Sequence, residues 1–494
     1  MKRPCFPISG LLAGLAAAQL TASAAVYFSN LNLVEKTAAL KTAGYLVVPN
    51  ALVVPALLSF KTALYGGLFY TLSIGIGLSL AASGAAWAWD RVGRRGRLGS
   101  ILVILPWLAA LVWLNGRGIS ALTAGLTLLT PPAAFGAAAW SLKRAAPRSW
   151  SELPAFLIPL ALLAVIGTTL MTGPVFVDVR DYLLWPTRVG RGISDFYYRY
   201  TLYPAEAFKS LHQSSIKTAR VSGTLDRSTR ERIETALRQF DYLPIKGRSE
   251  VDLELALEGG SAVLKSDGRE IAREPSARFL QKPGPILRSF SGSIDRHARL
   301  RRAVLYSIMI GLPLTLYVLV FCLVRAAVGL AAGGRTASVI AGTVCLAAGL
   351  ALLIPVYQGR TAAWAGDDIA RLLESGDWRA RAAGLKAVTA RNLDVSGFPV
   401  YRRLASDPNL AVRYYLADSL GGDHKAETEE TIRAMLGDPE PNVVCMALKS
   451  LGRRGGRDAV RTIVDRIESE PHWYVQWYGY QALRRLGWTQ NRSN

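Results

Sequence analysis

A carboxylate pair is the first chemistry to look for, and Asp252, Glu254 and Glu258 lie close together in the stretch Val251–Glu258. Their strict alternation with Leu253, Leu255 and Leu257 puts the acids on one face of a strand. That face is the solvent face, where acidic side chains serve solubility and not general acid–base work. Asp178, Asp181 and Asp195 are the other candidates, because they follow an apolar stretch and would meet a lipid-linked substrate at a membrane surface. The four cysteines, Cys5, Cys322, Cys345 and Cys445, never fall within metal-ligand spacing of one another or of a histidine. They read as small buried hydrophobes. No catalytic residue, cofactor or metal site is expected.

Two aromatic clusters carry more promise as binding surfaces. The first is Arg188, Arg191, Tyr197, Tyr198 and Arg199, flanked by Trp185, Phe196, Tyr200 and Tyr203. Guanidinium groups meet phosphates and tyrosine rings sit half-immersed, so these are candidate lipid-headgroup or interface residues. A partner or glycan site is the alternative. The second cluster pairs Trp473 with Trp477 and Tyr474 with Tyr478 on adjacent helical stripes, beside His472. Aromatics of this density anchor partners. They also cap the open end of a core, so contact site and cap both stay open.

These clusters hang on apolar elements. Seven stretches are long enough to cross a bilayer, at about 8–27, 62–89, 98–114, 119–140, 153–172, 303–324 and 336–357. The first also resembles a cleavable signal peptide ending at Ala24, but the many spans after it favour an uncleaved helix. Residues 44–60 are apolar yet broken by Pro49 and Pro55, which predicts a re-entrant or interfacial segment. Arg91, Arg94, Arg95, Arg97, Lys143, Arg144 and Arg148 crowd two connections, and Arg325 and Arg335 flank a third. Counting these positive residues as cytoplasmic puts the N-terminus inside and both large polar regions outside, in the periplasm of a bacterium.

The formal charge of +22 would suggest nucleic acid, but its distribution argues otherwise. Residues 361–494 carry 19 basic against 17 acidic side chains, nearly neutral, and residues 174–302 carry 23 against 16. No nucleic-acid partner is expected. The spans hold almost no ionisable groups, which disfavours an ion-coupled transporter. Within residues 174–302, Ser228 is the expected N-cap of a helix reaching Phe240. Two tight turns, at Gly259-Gly260 and Asp267-Gly268, then predict a small antiparallel meander.

After Arg360 one pattern returns about every 31–32 residues. It reads Asp407-Pro408, Val412-Arg413, Ala417, Leu420-Gly421, then Asp438-Pro439, Val443-Val444, Ala447, Leu451-Gly452, then Glu470-Pro471, Val475-Gln476, Leu486-Gly487. Such a period marks a helical solenoid whose helix pairs bury their apolar faces against neighbours. Gly421, Gly452 and Gly487 are placed as left-handed C-caps. The pattern resembles HEAT repeats, of the short type seen in phycobilin-lyase-like proteins, over residues 367–488. Arg413, with Arg381 one repeat earlier, occupies the arginine step of that family, whereas Val444 and Gln476 depart from it. The resemblance implies a binding surface, with Arg413 among its candidate partner-binding residues.

The expected fold is mostly α: a polytopic helical membrane bundle of about seven spans, a small α+β extracytoplasmic insert and a C-terminal α-solenoid of HEAT-like repeats. Residues 1–173 form five spans, 174–302 the insert with its aromatic and Arg-rich start, 303–360 two further spans, and 361–494 the repeats. The expected partners are membrane lipid and an unidentified protein held by the repeats, in a scaffold of an envelope or membrane complex. A membrane enzyme and a transporter component are the competing readings.

Overall fold

The computed structural model describes residues 6–92, 97–143, 152–170, 175–223, 225–247, 250–364, 368–456 and 458–490. The chain is mostly helical. Five helices are long and apolar enough to cross a membrane: Ile8–Thr42, Phe60–Asp90, Ala121–Lys143, Ala298–Val328 and Gly334–Thr361. Two shorter apolar helices, Arg97–Asn115 and Leu153–Leu170, accompany them.

The first helix is the hub of this bundle and packs against Phe60–Tyr70, Ile76–Val92 and Ala121–Lys143. Small residues make the approach possible. A methyl group added at Gly14 would lie 2.3 Å from Ser79 Oγ, and one at Gly10 would lie 2.6 Å from Ala138 Cβ. In a bilayer, where lipid tails are as apolar as Leu, close van der Waals packing of this kind replaces the hydrophobic drive between helices. At 35 residues, Ile8–Thr42 is about 50 Å long and outruns a hydrocarbon core of about 30 Å. Its last turns would therefore extend beyond such a layer, and Lys36 there pairs with Asp252 at 2.5 Å.

Beyond the bundle lies a five-stranded sheet of order β2-β1-β3-β4-β5, with β1 Lys217–Ser222, β2 Tyr242–Pro244, β3 Leu253–Glu258, β4 Ser261–Ser266 and β5 Arg269–Pro275. Strands β3, β4 and β5 form the meander expected from sequence. Gly259 and Gly260 turn with φ of 57° and 80°, and Asp267 and Gly268 with 49° and 72°, as tight hairpins demand. Strand β1 is parallel to both β2 and β3, so the sheet is mixed. The helix Arg227–Arg238 makes the crossover between β1 and β2 and is capped by Asp226, two residues before the expected Ser228.

The repeats pair short first helices with longer second helices. The second helices are Trp378–Ala390, Leu410–Ser419, Pro441–Arg454 and Trp473–Arg485, each packed on the next. Before each one, an acidic carboxylate accepts the N–H two residues on, from Asp377 to Arg379, Asp407 to Asn409, Asp438 to Glu440 and Glu470 to His472. The repeated glycines do different work from that expected. Only Gly487 is left-handed, with φ of 75°. Gly452 instead lets Ala482 come close, since a Cβ there would lie 2.7 Å from Ala482 Cα, and Gly421 likewise makes room for Ser450 and Arg453. The spacing conserved within the chain is thus a contact between successive second helices.

Candidate functional site

The second helices of the array do not face open solvent. They hold the segment 178–203 that follows the Leu153–Leu170 helix. At the centre is Asp181, 1% exposed, which ion-pairs with Arg180 at 2.8 Å and with Lys386 of the Trp378–Ala390 helix at 3.0 Å. Tyr415 donates its hydroxyl hydrogen to the same Asp181 oxygen that Lys386 holds. Arg180 in turn donates to the hydroxyls of Tyr414 and Tyr415, both at 3.2 Å, and lies 4.2 Å from the Trp185 ring centre. A second pair, Asp178 with Arg360 at 2.7 Å, ties the end of the last apolar helix to the same segment.

Burial alone would drive the Arg180 guanidinium toward its neutral form, but the adjacent Asp181 carboxylate holds its pKa above the ordinary value. Burial also pushes the Tyr415 hydroxyl up, and the Asp181 charge adds to it. The Arg180 guanidinium therefore stays charged and the Tyr415 hydroxyl stays protonated near neutral pH. Both Asp181 oxygens are engaged and Asp178 is ion-paired, so neither acid is free to act as a base. What the arrangement can do is clamp. A buried ion pair adds little net stability over apolar packing, yet removing one partner strands the other at a cost of about 3–5 kcal/mol.

An aromatic seam extends the clamp along the array. Trp185 meets Tyr414 edge-on at 5.1 Å, Tyr198 meets Tyr474 at 4.9 Å, and Tyr203 meets Trp473 at 5.0 Å. The structure thus brings the two aromatic clusters of the sequence together. Trp473 is buried, and Tyr474, Trp477 and Tyr478 are half-buried. Tyr198 meets the array, whereas Arg188, Arg191, Tyr197 and Arg199 are exposed. A cavity of about 250 Å³ lies beside the seam, bounded by Leu33, Lys36, Phe208, Ser215, Trp473 and Trp477.

The arginine step builds a ladder. Arg381 reaches Asp407 at 2.8 Å and Arg413 reaches Asp438 at 2.8 Å, each pairing with the acid of the following repeat. Each also donates to the carbonyl six residues before it, Ser375 and Asp407. Arg413 is therefore a strut inside the array. Gln476 keeps that backward bond, to Glu470 O at 2.7 Å, and among the described residues no acid of a following repeat meets it. Asn50, from the 44–60 segment, fills the missing place. Its N–H donates to Gln476 Oε1 at 2.9 Å, and its Nδ2 reaches the carbonyls of Ile467 and Glu468 at 2.7 and 3.0 Å and that of Glu470 at 3.2 Å. Asn50 Oδ1 accepts from Leu52 N, two residues on, as the repeat acids do. The loop imitates the turn of a further repeat.

Sequence reasoning missed this contact because Asn50 lies 426 positions from Gln476. It also set Asp252 aside as a solvent-facing acid. Asp252 instead receives Thr218 N and Thr218 Oγ1, both at 2.9 Å, besides Lys36. A trace of the clamp was present: Tyr414 and Trp477 follow the arginine step by one residue, Tyr415 and Tyr478 by two. Cys322, Cys345 and Cys445 are buried thiols, and burial pushes the Cys445 thiol up. Cys5 lies outside the described residues.

The comparisons bear on the array alone. The HEAT repeats family model matches residues 399–484, so a HEAT-repeat region stands near the C-terminus. No curated protein matches the chain. No solved structure matches it either. HEAT repeats mediate protein–protein contacts, and the apolar helices are compatible with membrane association.

Proposed function

We propose that this chain is an inner-membrane protein of seven crossings that fixes a HEAT-repeat scaffold on the periplasmic face of a bacterial membrane. The way polar contacts sort between the two ends of the bundle supports this most. Ser9 with Ala137, and Arg325 with Glu152 and Ser338, meet at one end. Lys36 with Asp252, Arg299 with Trp113, Arg360 with Asp178, and Asn50 with the array meet at the other. Following the chain through seven alternating helices reproduces this sorting without a conflict. Among the described residues, Lys143, Arg325 and Arg335 fall at the Glu152 end, which the positive-inside rule assigns to the cytoplasm.

The clamp defines how such a scaffold would work. Its second-helix face is occupied by the chain's own 178–203 segment, so a protein partner would meet the first helices, where Glu430, Arg461 and Asp465 are exposed. The test has two arms. A reporter fused after Asn494 should be active only as a periplasmic enzyme, and activity only in the cytoplasm would overturn the topology. A photo-crosslinking residue at Asp465 or Glu430 in cells should give one discrete adduct. Absence of an adduct from every first helix would remove the scaffold role.

A further inference from the structure

We propose that the helix Arg188–Tyr200 lies in the plane of the membrane surface and seats the headgroup of an anionic phospholipid. The inference rests on the membrane reading above and adds a ligand to it. Thr187 caps this 13-residue helix by accepting Gly190 N at 3.0 Å. Its residues divide into three faces. Gly190, Ser194 and Tyr198, spaced four apart, turn inward: Gly190 lies against Leu184, Ser194 Oγ accepts from Trp185 Nε1 at 3.1 Å, and Tyr198 meets Tyr474 of the array.

The second face is apolar and uncovered. Val189 is 76% exposed and Ile193 55%, with Phe196 and Tyr197 exposed beside them. A soluble helix buries such a stripe against a core. Here the stripe continues into the surface of a candidate span. Tyr65, in the second turn of Phe60–Asp90, meets Phe196 at 5.5 Å and Tyr200 at 5.0 Å. Phe60 and Leu64, in that helix's opening turns, are exposed as well. Whatever solvates the start of that span therefore also solvates Val189 and Ile193, and for a spanning helix that solvent is lipid.

The third face is basic. Arg188, Arg191 and Arg199 are exposed, and Lys61 stands 5.8 Å from the Tyr65 ring. Among the described residues none of these four side chains makes an ion pair. Guanidinium groups bordering an immersed apolar stripe lie at the depth of lipid phosphates, and their forked donors match phosphate geometry. Asp195 on the same face and Glu440, which lies within electrostatic reach of Arg191, answer part of this charge, but the four cations outnumber the two acids. That positive excess selects headgroups carrying net negative charge over zwitterionic ones.

The experiment uses the full chain, with Cys5→Ser, in vesicles of equimolar phosphatidylcholine and phosphatidylglycerol. A nitroxide is attached at Ile193→Cys, and in a second sample at Leu20→Cys, a position 73% exposed on the first apolar helix. Relaxation by oxygen in place of a water-soluble nickel chelate is expected at both sites. Lipid retained by the protein on extraction should be enriched in phosphatidylglycerol, and Arg188→Gln with Arg199→Gln should return it to the bulk ratio. Nickel access at residue 193 with oxygen access at residue 20 would overturn this inference alone, leaving a soluble partner on the stripe. Nickel access at both would overturn the membrane reading itself. Insertion with no phosphatidylglycerol enrichment would refute the headgroup selection.

Discussion

Replacing Asn50 tests whether the 44–60 loop completes the repeat array. The amide orientation is assigned by its neighbours, since Nδ2 faces three carbonyl oxygens and Oδ1 faces the Leu52 N–H. In Asn50→Ala all four side-chain hydrogen bonds disappear. Each is worth about 1 kcal/mol net, and a buried carbonyl left without a partner costs about 1–3 kcal/mol. Glu470 O keeps its bond from Gln476, so the losses concentrate on Ile467 and Glu468. The expected loss is about 2–4 kcal/mol, felt first in the Trp473–Arg485 helix. Asn50→Asp is nearly isosteric, yet it turns a donor into an anion pointed at carbonyl oxygens, and burying an unpaired charge costs several kcal/mol more. Stability should therefore fall in the order Asn, Ala, Asp at neutral pH, and the Asp variant should recover on acidification. Hydrogen exchange reads this directly: about 2 kcal/mol of lost local stability is roughly thirty-fold faster exchange through opening. The helix Leu410–Ser419, remote from the loop, serves as the internal reference. Exchange unchanged in Asn50→Ala, or an Asp variant more protected than the Ala variant, would refute the capping role.

Leu451 is fully buried, so Leu451→Asp should unfold the array and open residues 368–490 to protease while the apolar helices stay protected. Equal protease resistance would place that side chain outside the core. Trp473→Ala and Tyr474→Ala each remove an aromatic contact to the 198–203 segment, and a loss of about 3–5 kcal/mol is expected for the buried Trp473. Calorimetry should record a lowered melting temperature for both, whereas weakened partner capture at unchanged stability would make them contact residues. Burial and the nearby Arg199 hold the His472 imidazole down at about 4, against an ordinary value of 6.5. A lowered folded value contributes stability that is present above pH 6.5 and lost as pH falls through about 4. His472→Gln should thus flatten the acid limb of stability between those limits relative to wild type, and an unchanged limb would show that His472 is free to titrate. Lys386→Met leaves the Asp181 carboxylate short of a partner and should free the array from the 178–203 segment, measurable as faster exchange in both.

The sequence by itself determined which stretches are apolar helices and which form repeats, because both rest on local periodicity. A run such as Leu153–Leu170 needs no partner to declare itself, and the Asp407-Pro408 and Asp438-Pro439 steps announce their turns through chemistry contained within a few residues. The hairpin turns at Gly259-Gly260 and Asp267-Gly268 were legible for the same reason, as positive φ selects their residue types. Roles set by distant neighbours were not legible. Gly452 looks like a helix terminator until Ala482 is seen against it, and Asp252 looks like a solvent-facing acid until Lys36 and Thr218 close over it. Parallel strand pairing hid in the same way, because β1 and β2 are joined through a helix and carry no turn signal between them. Most of all, the two aromatic clusters read as two separate surfaces awaiting partners, yet tertiary structure pairs Tyr198 with Tyr474 and Tyr203 with Trp473. A side chain's type fixes what it can bind. Only the path of the chain decides whether its partner comes from outside or from the same molecule.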